Sequence, residues 1–224
     1  KIIAECKLDL ADIYLFSDEV WEATLLYSQV EKSFPHEPIG HLAKLKNARL
    51  TFYIGEFEWA KAQLDVLKAA TSKLIANDAM DLSLVIADNL DADSSMNGLR
   101  FFARADLLSY QNKDEMALEM LDSIYGVNLL HPLFDDVLMK KAEIMIKRKE
   151  YIAADSLLER LAVNFPYDIL ADDALYLRAR LQEDYFMDEE KALAIYKQIL
   201  LNYPGSLYTV EARKRFRTLR GDDI

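Results

Sequence analysis

Apolar and small residues recur along this chain at helical spacing, with polar residues between them. In the clearest stretch, 190–213, Ala192 is followed by Tyr196 four residues later and by Ile199 three residues after that. Positions i, i+4 and i+7 lie on one face of an α-helix, so this stretch predicts an amphipathic helix. Pro204 predicts the end of that helix, because proline cannot continue a helix and disfavours the helical conformation of the residue before it.

The same pattern recurs four more times toward the N-terminus. The small residues that correspond to Ala192 are, in chain order, Ala23, Ala60, Ala117 and Ala154. The successive separations are 37, 57, 37 and 38 residues, so three intervals are nearly equal and one is longer. A second small residue precedes each marker by twelve positions, or by thirteen in the last unit, and these are Ala11, Ala48, Ala105, Ala142 and Ala179. Two such runs joined by a short polar turn predict a helix hairpin, and we therefore predict five hairpins.

The spacing also predicts where each element lies. The hairpins cover about residues 2–34, 38–70, 97–126, 134–165 and 169–203. The long interval leaves room for an inserted helix at about 74–92, with Asn77 as its N-cap. A run at about 206–220, stopped by Gly221, predicts a capping helix that covers the last apolar face. In the fifth hairpin, the wider spacing of the two alanines predicts one extra residue in the turn.

The composition agrees with an all-α class. Six Gly and five Pro in 224 residues are few, and no alternating run rich in Val, Ile or Thr predicts a strand. The recurring Ala, the bulky residue four positions later and the closing Pro resemble the tetratricopeptide repeat. The resemblance implies a right-handed α-solenoid of tetratricopeptide-like helix hairpins, forming a single superhelical domain over residues 1–224.

Within that family, the Phe-Pro and Tyr-Pro endings carry a further likeness. The segments NFPYDILADDALYLRAR and NYPGSLYTVEARKRF are similar to repeats of bacterial cell-envelope proteins, the outer-membrane-assembly lipoprotein among them. This likeness implies an adaptor in the bacterial periplasm or at the periphery of the outer membrane, and a cytoplasmic location stays open. Because the chain starts at Lys1 and not at Met, we expect a processed or trimmed product.

Charge and residue usage exclude several classes of function. A formal net charge of −11 has the wrong sign for a protein that binds nucleic-acid phosphates. No transmembrane segment is predicted, since the chain has no run of about eighteen apolar residues. The single cysteine, Cys6, allows no intramolecular disulfide, and we expect it to be a small buried hydrophobe in a helix.

The titratable residues do not form a recognisable catalytic or metal-binding motif. His36 and His41 are five positions apart with Pro38 between them, so they cannot share one face of a continuous helix as zinc ligands do. We expect His131 to lie in a solvated linker. No glycine-rich phosphate loop, nucleophile elbow or Ser/His/Asp grouping is visible. We therefore predict no enzyme activity, no catalytic or metal-binding residue and no cofactor.

Two acidic pairs, Asp135-Asp136 and Asp172-Asp173, could suggest paired catalytic carboxylates. They occupy equivalent positions of their repeats, at the predicted starts of first helices. Negative charge there complements the helix dipole and the unpaired N–H groups, so we interpret both pairs as structural.

The resemblance implies that a partner binds on the concave face, which the first helix of each hairpin lines in tetratricopeptide proteins. Counting from the first-helix alanines predicts the groove residues Lys46, Arg49, Phe52, Tyr53, Asp106, Tyr110, Met139, Glu143, Tyr176 and Arg180. This set is aromatic and mixed in charge, which favours an extended peptide or a partner helix held by aromatic anchors. For Phe52 the alternative is packing between repeats.

A basic cluster near the C-terminus has two interpretations. Arg213, Lys214, Arg215 and Arg217 form either the solvated face of the capping helix or a docking patch for an acidic partner. The sequence as a whole predicts a non-enzymatic scaffold that binds a peptide or protein. The alternative is a helical regulatory or catalytic domain of a larger protein whose chemistry lies outside this chain.

Overall fold

Helices form most of the computed structural model, which describes residues 2–70, 72–90, 95–127 and 131–222. Across these four ranges there are twelve α-helices, one π-helical turn and no strand. Backbone contacts divide the chain into two units, Lys1–Leu133 and Phe134–Ile224, which we call unit 1 and unit 2.

Unit 1 holds three hairpins and one additional helix. Its helices are α1 (Ile2–Phe16), α2 (Val20–Ser33), α3 (Pro38–Tyr53), α4 (Phe57–Ala70), α5 (Lys73–Asn89), α6 (Asn97–Tyr110) and α7 (Asp114–Ile124). The pairs α1–α2, α3–α4 and α6–α7 pack as hairpins, and α5 packs along α4. Helix α3 contacts both α1 and α6, so the three first helices lie side by side.

Unit 2 holds two hairpins and a final helix. Its helices are α8 (Phe134–Lys147), α9 (Tyr151–Asn164), α10 (Ala171–Leu181), α11 (Glu189–Asn202) and α12 (Thr209–Arg220). The pairs α8–α9 and α10–α11 form the hairpins, and α12 packs on α11. Both units are therefore built from tetratricopeptide-like helix hairpins.

The recurring alanines lie in the interior of the packed helix pairs. All ten are fully buried: Ala11, Ala23, Ala48, Ala60, Ala105, Ala117, Ala142, Ala154, Ala179 and Ala192. The large residues four and seven positions after each second-helix alanine are buried as well, from Tyr27 and Val30 to Tyr196 and Ile199. A larger side chain at an alanine position would separate the helices, since a packed interior has no room for extra methylene groups.

The hairpin turns repeat with the same regularity. One residue with positive φ lies five positions before each second-helix alanine, namely Asp18 (φ 69°), Gly55 (φ 86°), Asn112 (φ 58°), Lys149 (φ 63°) and Met187 (φ 55°). Glycine occupies only one of these five positions. The other four residues adopt the left-handed conformation at a cost of about 1–2 kcal/mol each, which the packed helix pair offsets.

The extra residue of the fifth hairpin lies at the end of its first helix. Helix α10 continues into a π-helical turn, Gln182–Phe186, and the N–H of Asp188 donates to the carbonyl oxygen of Gln182 at 2.9 Å. A π-helical turn closes hydrogen bonds between residues i and i+5, so it takes up one inserted residue without breaking the helix.

A buried ion pair joins the two hairpins of unit 2. Arg178 in α10 is buried and donates through Nε to Asp155 Oδ1 and through Nη2 to Glu159 Oε1, both at 2.9 Å. Asp155 is also largely buried, and Lys191 approaches its other oxygen at 3.6 Å. Burial opposes ionisation of the Asp155 carboxyl, but the hydrogen bonds and charge of Arg178, together with Gln182 and Lys191, lower its pKa.

Several local expectations were wrong. Asn77 does not cap the inserted helix, because α5 begins at Lys73 and Asn77 lies inside it. The capping helix begins at Thr209 and not at about 206; its last residue is Arg220, and Gly221 (φ 81°) stops it as predicted. Cys6 is exposed, because it lies off the buried stripe of α1, which is formed by Ala4, Leu8, Ala11 and Leu15.

His131 is buried in unit 1, and its prediction as a solvated linker residue was also wrong. Its ring packs against Gly98 near the start of α6, where a Cβ atom would overlap the imidazole. Its Nδ1 accepts a hydrogen bond from the N–H of Leu133 at 3.2 Å. The missing side chain of Gly98 leaves the space in which the ring lies.

Candidate functional site

The first helices of unit 1 bring the predicted groove residues of this unit together. The polar and aromatic residues concerned project from α1, α3 and α6, and we call them the first-helix face of unit 1: Asp12, Lys46, Arg49, Tyr53, Asp106 and Tyr110. Each is half-buried or exposed. None of them belongs to the fully buried residues of its helix.

Asp12 is the centre of this face. One oxygen of its carboxylate, Oδ1, accepts a hydrogen bond from the hydroxyl of Tyr27 at 2.6 Å, and the other, Oδ2, pairs with Lys46 Nζ. The hydroxyl of Tyr110 donates to the backbone carbonyl of Asp12 at 3.3 Å. Burial and the hydrogen bond to Asp12 raise the pKa of the Tyr27 phenol. Asp12 thereby ties α1 to α2, α3 and α6.

A second contact fixes the middle of the face. The hydroxyl of Tyr53 in α3 donates to Asp106 Oδ2 in α6 at 3.1 Å. Burial, followed by the negative charge of Asp106, raises the pKa of Tyr53 well above its usual value. Arg49 lies one helical turn before Tyr53 and is exposed, and its guanidinium makes no hydrogen bond or ion pair with a residue that the structure describes.

An exposed aromatic pair borders the face. Tyr110 is 40 % exposed, and its ring meets that of Phe16 edge-to-face with the centroids 6.4 Å apart. Tyr110 also hydrogen-bonds to α1, so its ring is held in place while one side faces solvent. Arg49, Phe16 and Tyr110 are consequently available to a ligand, whereas Asp12, Lys46 and Asp106 are engaged within the protein.

Phe52 and Met139 are not groove residues. Phe52 is fully buried and packs on Phe57, with the ring centroids 5.5 Å apart, and Met139 is also buried. Their spacing explains this result. Phe52 lies four residues after Ala48 and Met139 three residues before Ala142, so each shares the helix face of a buried alanine. Counting positions from the first-helix alanines could therefore have predicted that both residues are buried.

In unit 2 the remaining predicted residues lie on α8 and α10. Glu143 is exposed and pairs with Lys140 of its own helix at 2.8 Å. Arg180 pairs with Asp184 at 2.5 Å. Tyr176 is half-buried, and its ring stacks on that of Tyr208 at 4.2 Å.

Helix α12 docks onto α10 and α11 through the same region. Tyr208 donates to Asp173 Oδ1 at 2.6 Å, and Arg215 pairs with Glu183 at 3.0 Å. Glu183 also accepts a hydrogen bond from the hydroxyl of Tyr196 at 2.8 Å. Arg215 of the basic cluster is therefore engaged with the protein's own acidic side chains, whereas Arg213, Lys214 and Arg217 are exposed.

The two acidic pairs lie in the first turns of α8 and α10, as predicted. Asp135 departs from the simple dipole interpretation, because its carboxyl is buried. Burial, and then the negative charge and hydrogen bond of Asp168, raise its pKa to about 7. The raised pKa weakens the negative charge that this residue supplies at the start of α8 at neutral pH.

The described side chains do not form a metal site. In residues 2–70, 72–90, 95–127 and 131–222, no three His, Cys, Asp or Glu side chains are grouped so that they could hold a metal ion. Within the same ranges, no helix is long and apolar enough to cross a membrane.

A further surface was missed by the sequence reasoning. A cleft of about 1010 Å³ lies between α2 and α4, and its lining includes Trp21 and Trp59. These are the two tryptophans of the chain, and both are exposed. Trp21 lies two residues before the buried Ala23, and Trp59 lies one residue before the buried Ala60. Both positions are off the buried face of their helices, so the sequence already indicated that these aromatic side chains are exposed.

Comparison with known proteins gives likenesses of fold only. No family model matches the chain, and neither does any curated protein. A solved structure of nearly identical TPR-like repeats from Podosopora anserina, described as a kinesin light chain, is 14 % identical, with a TM-score of 0.42, over 88 % of this chain and 93 % of that one. The structure of pilF from Pseudomonas aeruginosa is 17 % identical, with a TM-score of 0.39, over 97 % of this chain and 96 % of that one. The assignment of tetratricopeptide-like hairpins rests on the buried alanines and the repeated turns.

Proposed function

We propose that this protein is a non-enzymatic scaffold that binds a peptide or a partner protein on the first-helix face of unit 1. The observation that supports the proposal is the arrangement around Arg49 and Tyr110. Both are exposed, and the neighbouring side chains are held by hydrogen bonds between different helices. A surface that is already ordered loses less conformational entropy when a ligand binds.

The chemistry of these groups indicates the kind of ligand. Arginine presents a planar fork of donors that matches a carboxylate, and tyrosine supplies a large contact area with few rotatable bonds. Arg49 would contact an acidic group of the ligand, while Tyr110 and Phe16 would contact an apolar side chain next to it. A peptide that carries an acidic and an apolar residue close together therefore fits this face.

Capture of partners from an extract of the source cells tests the proposal. We compare the wild type with Arg49→Glu/Tyr110→Ala, and with the matched control Arg160→Glu/Tyr167→Ala, whose residues are exposed in unit 2. A partner that the wild type and the control capture and the Arg49/Tyr110 variant loses supports the proposal. A partner that all three capture equally contradicts it.

Two finer expectations extend the proposal. Arg213, Lys214 and Arg217 remain exposed and would suit an acidic partner of α12. The bacterial cell-envelope location stays a prediction from the resemblance of the repeat endings. Detection of the native protein by antibody in separated cytoplasmic, periplasmic and membrane fractions would test this location.

A further inference from the structure

The cleft of about 1010 Å³ in unit 1 is separate from the first-helix face. Helices α2 and α4 form its walls and α3 forms its floor, through Asn47, Leu50, Thr51 and Ile54. The floor residues are centred about a third of a turn around α3 from Lys46, Arg49 and Tyr53, as the helical spacing of the two sets requires. A ligand in the cleft would leave the first-helix face free.

The walls of the cleft expose large apolar side chains. Trp21 is 85 % exposed and Trp59 is 63 % exposed, and Ile54 and Val66 are about half exposed. Tryptophan is the side chain most strongly associated with binding energy at protein interfaces. Two exposed tryptophans on facing walls of one cleft mark a surface that gains free energy when a partner covers it.

The charge around the tryptophans is negative. Four exposed glutamates lie within three residues of Trp21 or Trp59 in the sequence, where α2 and α4 begin, and Glu56 lines the cleft itself: Glu19, Glu22, Glu56 and Glu58. Their carboxylates form no hydrogen bond or ion pair with the described part of the chain. Two arginines of α6 lie near these helix starts: the Arg100 guanidinium is beside Gly55 and 6.0 Å from the Phe57 ring centroid, and Arg104 pairs with Asp18 at 3.8 Å. Lys44, at the other end of the cleft, pairs with Glu31 at 4.0 Å.

Carboxylates and indole faces attract the same kind of group. A Lys or Arg side chain is drawn to a carboxylate by its charge and to a tryptophan face by the ring quadrupole. The aliphatic part of such a side chain also covers apolar surface. The occupant that complements this cleft is therefore both cationic and apolar.

The shape of the cleft limits the occupant further. The lining that α3 contributes runs from Lys44 to Ile54, which corresponds to a length of about 15 Å, or about three helical turns. We propose that the cleft binds an amphipathic α-helix of a partner protein, with its apolar face against Trp21 and Trp59 and with Lys or Arg residues toward the four glutamates. This is helix-in-groove recognition with the charges that unit 1 supplies.

A defined peptide tests the proposal. The probe is a tryptophan-free amphipathic helix of leucine and lysine, about 18 residues long so that it spans α3. Because both tryptophans of the protein line the cleft, tryptophan emission reports occupancy directly. We expect a saturable shift of the emission to shorter wavelength. A twin peptide with glutamate in place of lysine should cause no shift.

Charge variants separate the cleft from the overall charge of the protein. In the test variant, Glu19, Glu22, Glu56 and Glu58 are each changed to Gln. A control with the same net charge neutralises four exposed acids elsewhere, as Glu5→Gln/Asp9→Asn/Glu189→Gln/Glu190→Gln. We expect the test variant to bind the lysine peptide about tenfold more weakly than the control. Equal affinities for the two variants would overturn the proposal.

The aromatic walls are tested by Trp21→Ala/Trp59→Ala, with binding followed by the anisotropy of a labelled peptide. Both side chains are exposed, so the variant should keep the wild-type circular dichroism spectrum while it loses most of its affinity. Arg49→Glu/Tyr110→Ala should bind the peptide as the wild type does, which makes this test independent of the first-helix face. Equal binding of the lysine and glutamate peptides would overturn the proposal. Self-association of the protein in sedimentation velocity, accompanied by a shift of its tryptophan emission, would also overturn the proposal, because a second copy of the chain would then fill the cleft.

Discussion

Substitution of Asp12 is the most informative perturbation of unit 1. In Asp12→Ala the hydroxyl of Tyr27, a residue that is 1 % exposed, loses the acceptor that lies 2.6 Å away. A buried donor without a partner costs about 1–3 kcal/mol. The lost Lys46 pair adds about 0–1 kcal/mol, because both side chains are about 30 % exposed. We predict a loss of about 2–3 kcal/mol in the free energy of unfolding of unit 1.

A double-mutant cycle separates the hydrogen bond from other effects. Tyr27→Phe removes the donor and should cost about 1 kcal/mol. In Tyr27→Phe/Asp12→Ala no donor is left without an acceptor, so the double variant should lose about 1–2 kcal/mol less than the sum of the two single variants. Lys46→Met is the control for the exposed pair and should cost less than about 1 kcal/mol.

Urea unfolding followed by far-UV circular dichroism measures these free energies. The transition that the unit 1 variants shift identifies the unfolding of this unit even where unit 2 unfolds separately. Additivity of the two single variants within about 0.5 kcal/mol would refute the reasoning, because Tyr27 and Asp12 would then not be coupled.

Three further predictions concern single positions. Gly40→Ala should destabilise unit 1 by more than about 2 kcal/mol in urea unfolding, because the added Cβ would overlap the backbone carbonyl at the end of α2. The control Gly205→Ala should leave the stability unchanged, because the space around Gly205 is open. Arg178→Ala should destabilise unit 2 by about 2–3 kcal/mol, because it leaves the largely buried Asp155 carboxylate with Lys191 as its cationic partner at 3.6 Å. Arg180→Ala, in a more exposed pair, should cost less than about 1 kcal/mol. Asp135 has a folded pKa raised to about 7, so its stabilising contribution is complete below its unfolded pKa of about 4 and is lost as the pH rises through about 7. Asp135→Asn should therefore raise the Tm at about pH 8 and have little effect at about pH 4.

The opposite results are equally specific. Equal stabilities for the two glycine variants would place the start of α3 farther from the end of α2. Equal effects of the two arginine variants would mean that the Arg178 pair is solvated. A Tm change for Asp135→Asn that is the same at both pH values would exclude titration of this carboxyl as the cause.

The buried positions could be predicted from the sequence because each hairpin of the array packs its two helices in the same way. Ala154 and its equivalents are each fully buried in a helix hairpin, so the small residue recurs at nearly constant spacing. The turns were harder to predict, because Lys149 and Met187 adopt positive φ without glycine. His131 could not be placed, since its burial depends on the space left by Gly98, 33 positions earlier in the chain.

The candidate surfaces were predictable in part. Counting from the buried alanines predicted that Arg49 and Tyr110 lie outside the hairpin interior, and the structure shows both exposed. The same count shows why Phe52 is buried. The cleft depends on the separation of α2 and α4 across α3, a distance between helices that no local pattern reports.

The central claim is that a partner binds through Arg49 and Tyr110, and the affinity of a captured partner tests it most directly. Isothermal titration calorimetry compares the wild type with Arg49→Glu/Tyr110→Ala and with the control Arg160→Glu/Tyr167→Ala. We predict that the Kd rises by at least about tenfold for the first variant and is unchanged for the control. The same Kd for all three proteins would contradict the claim and place the partner on another surface.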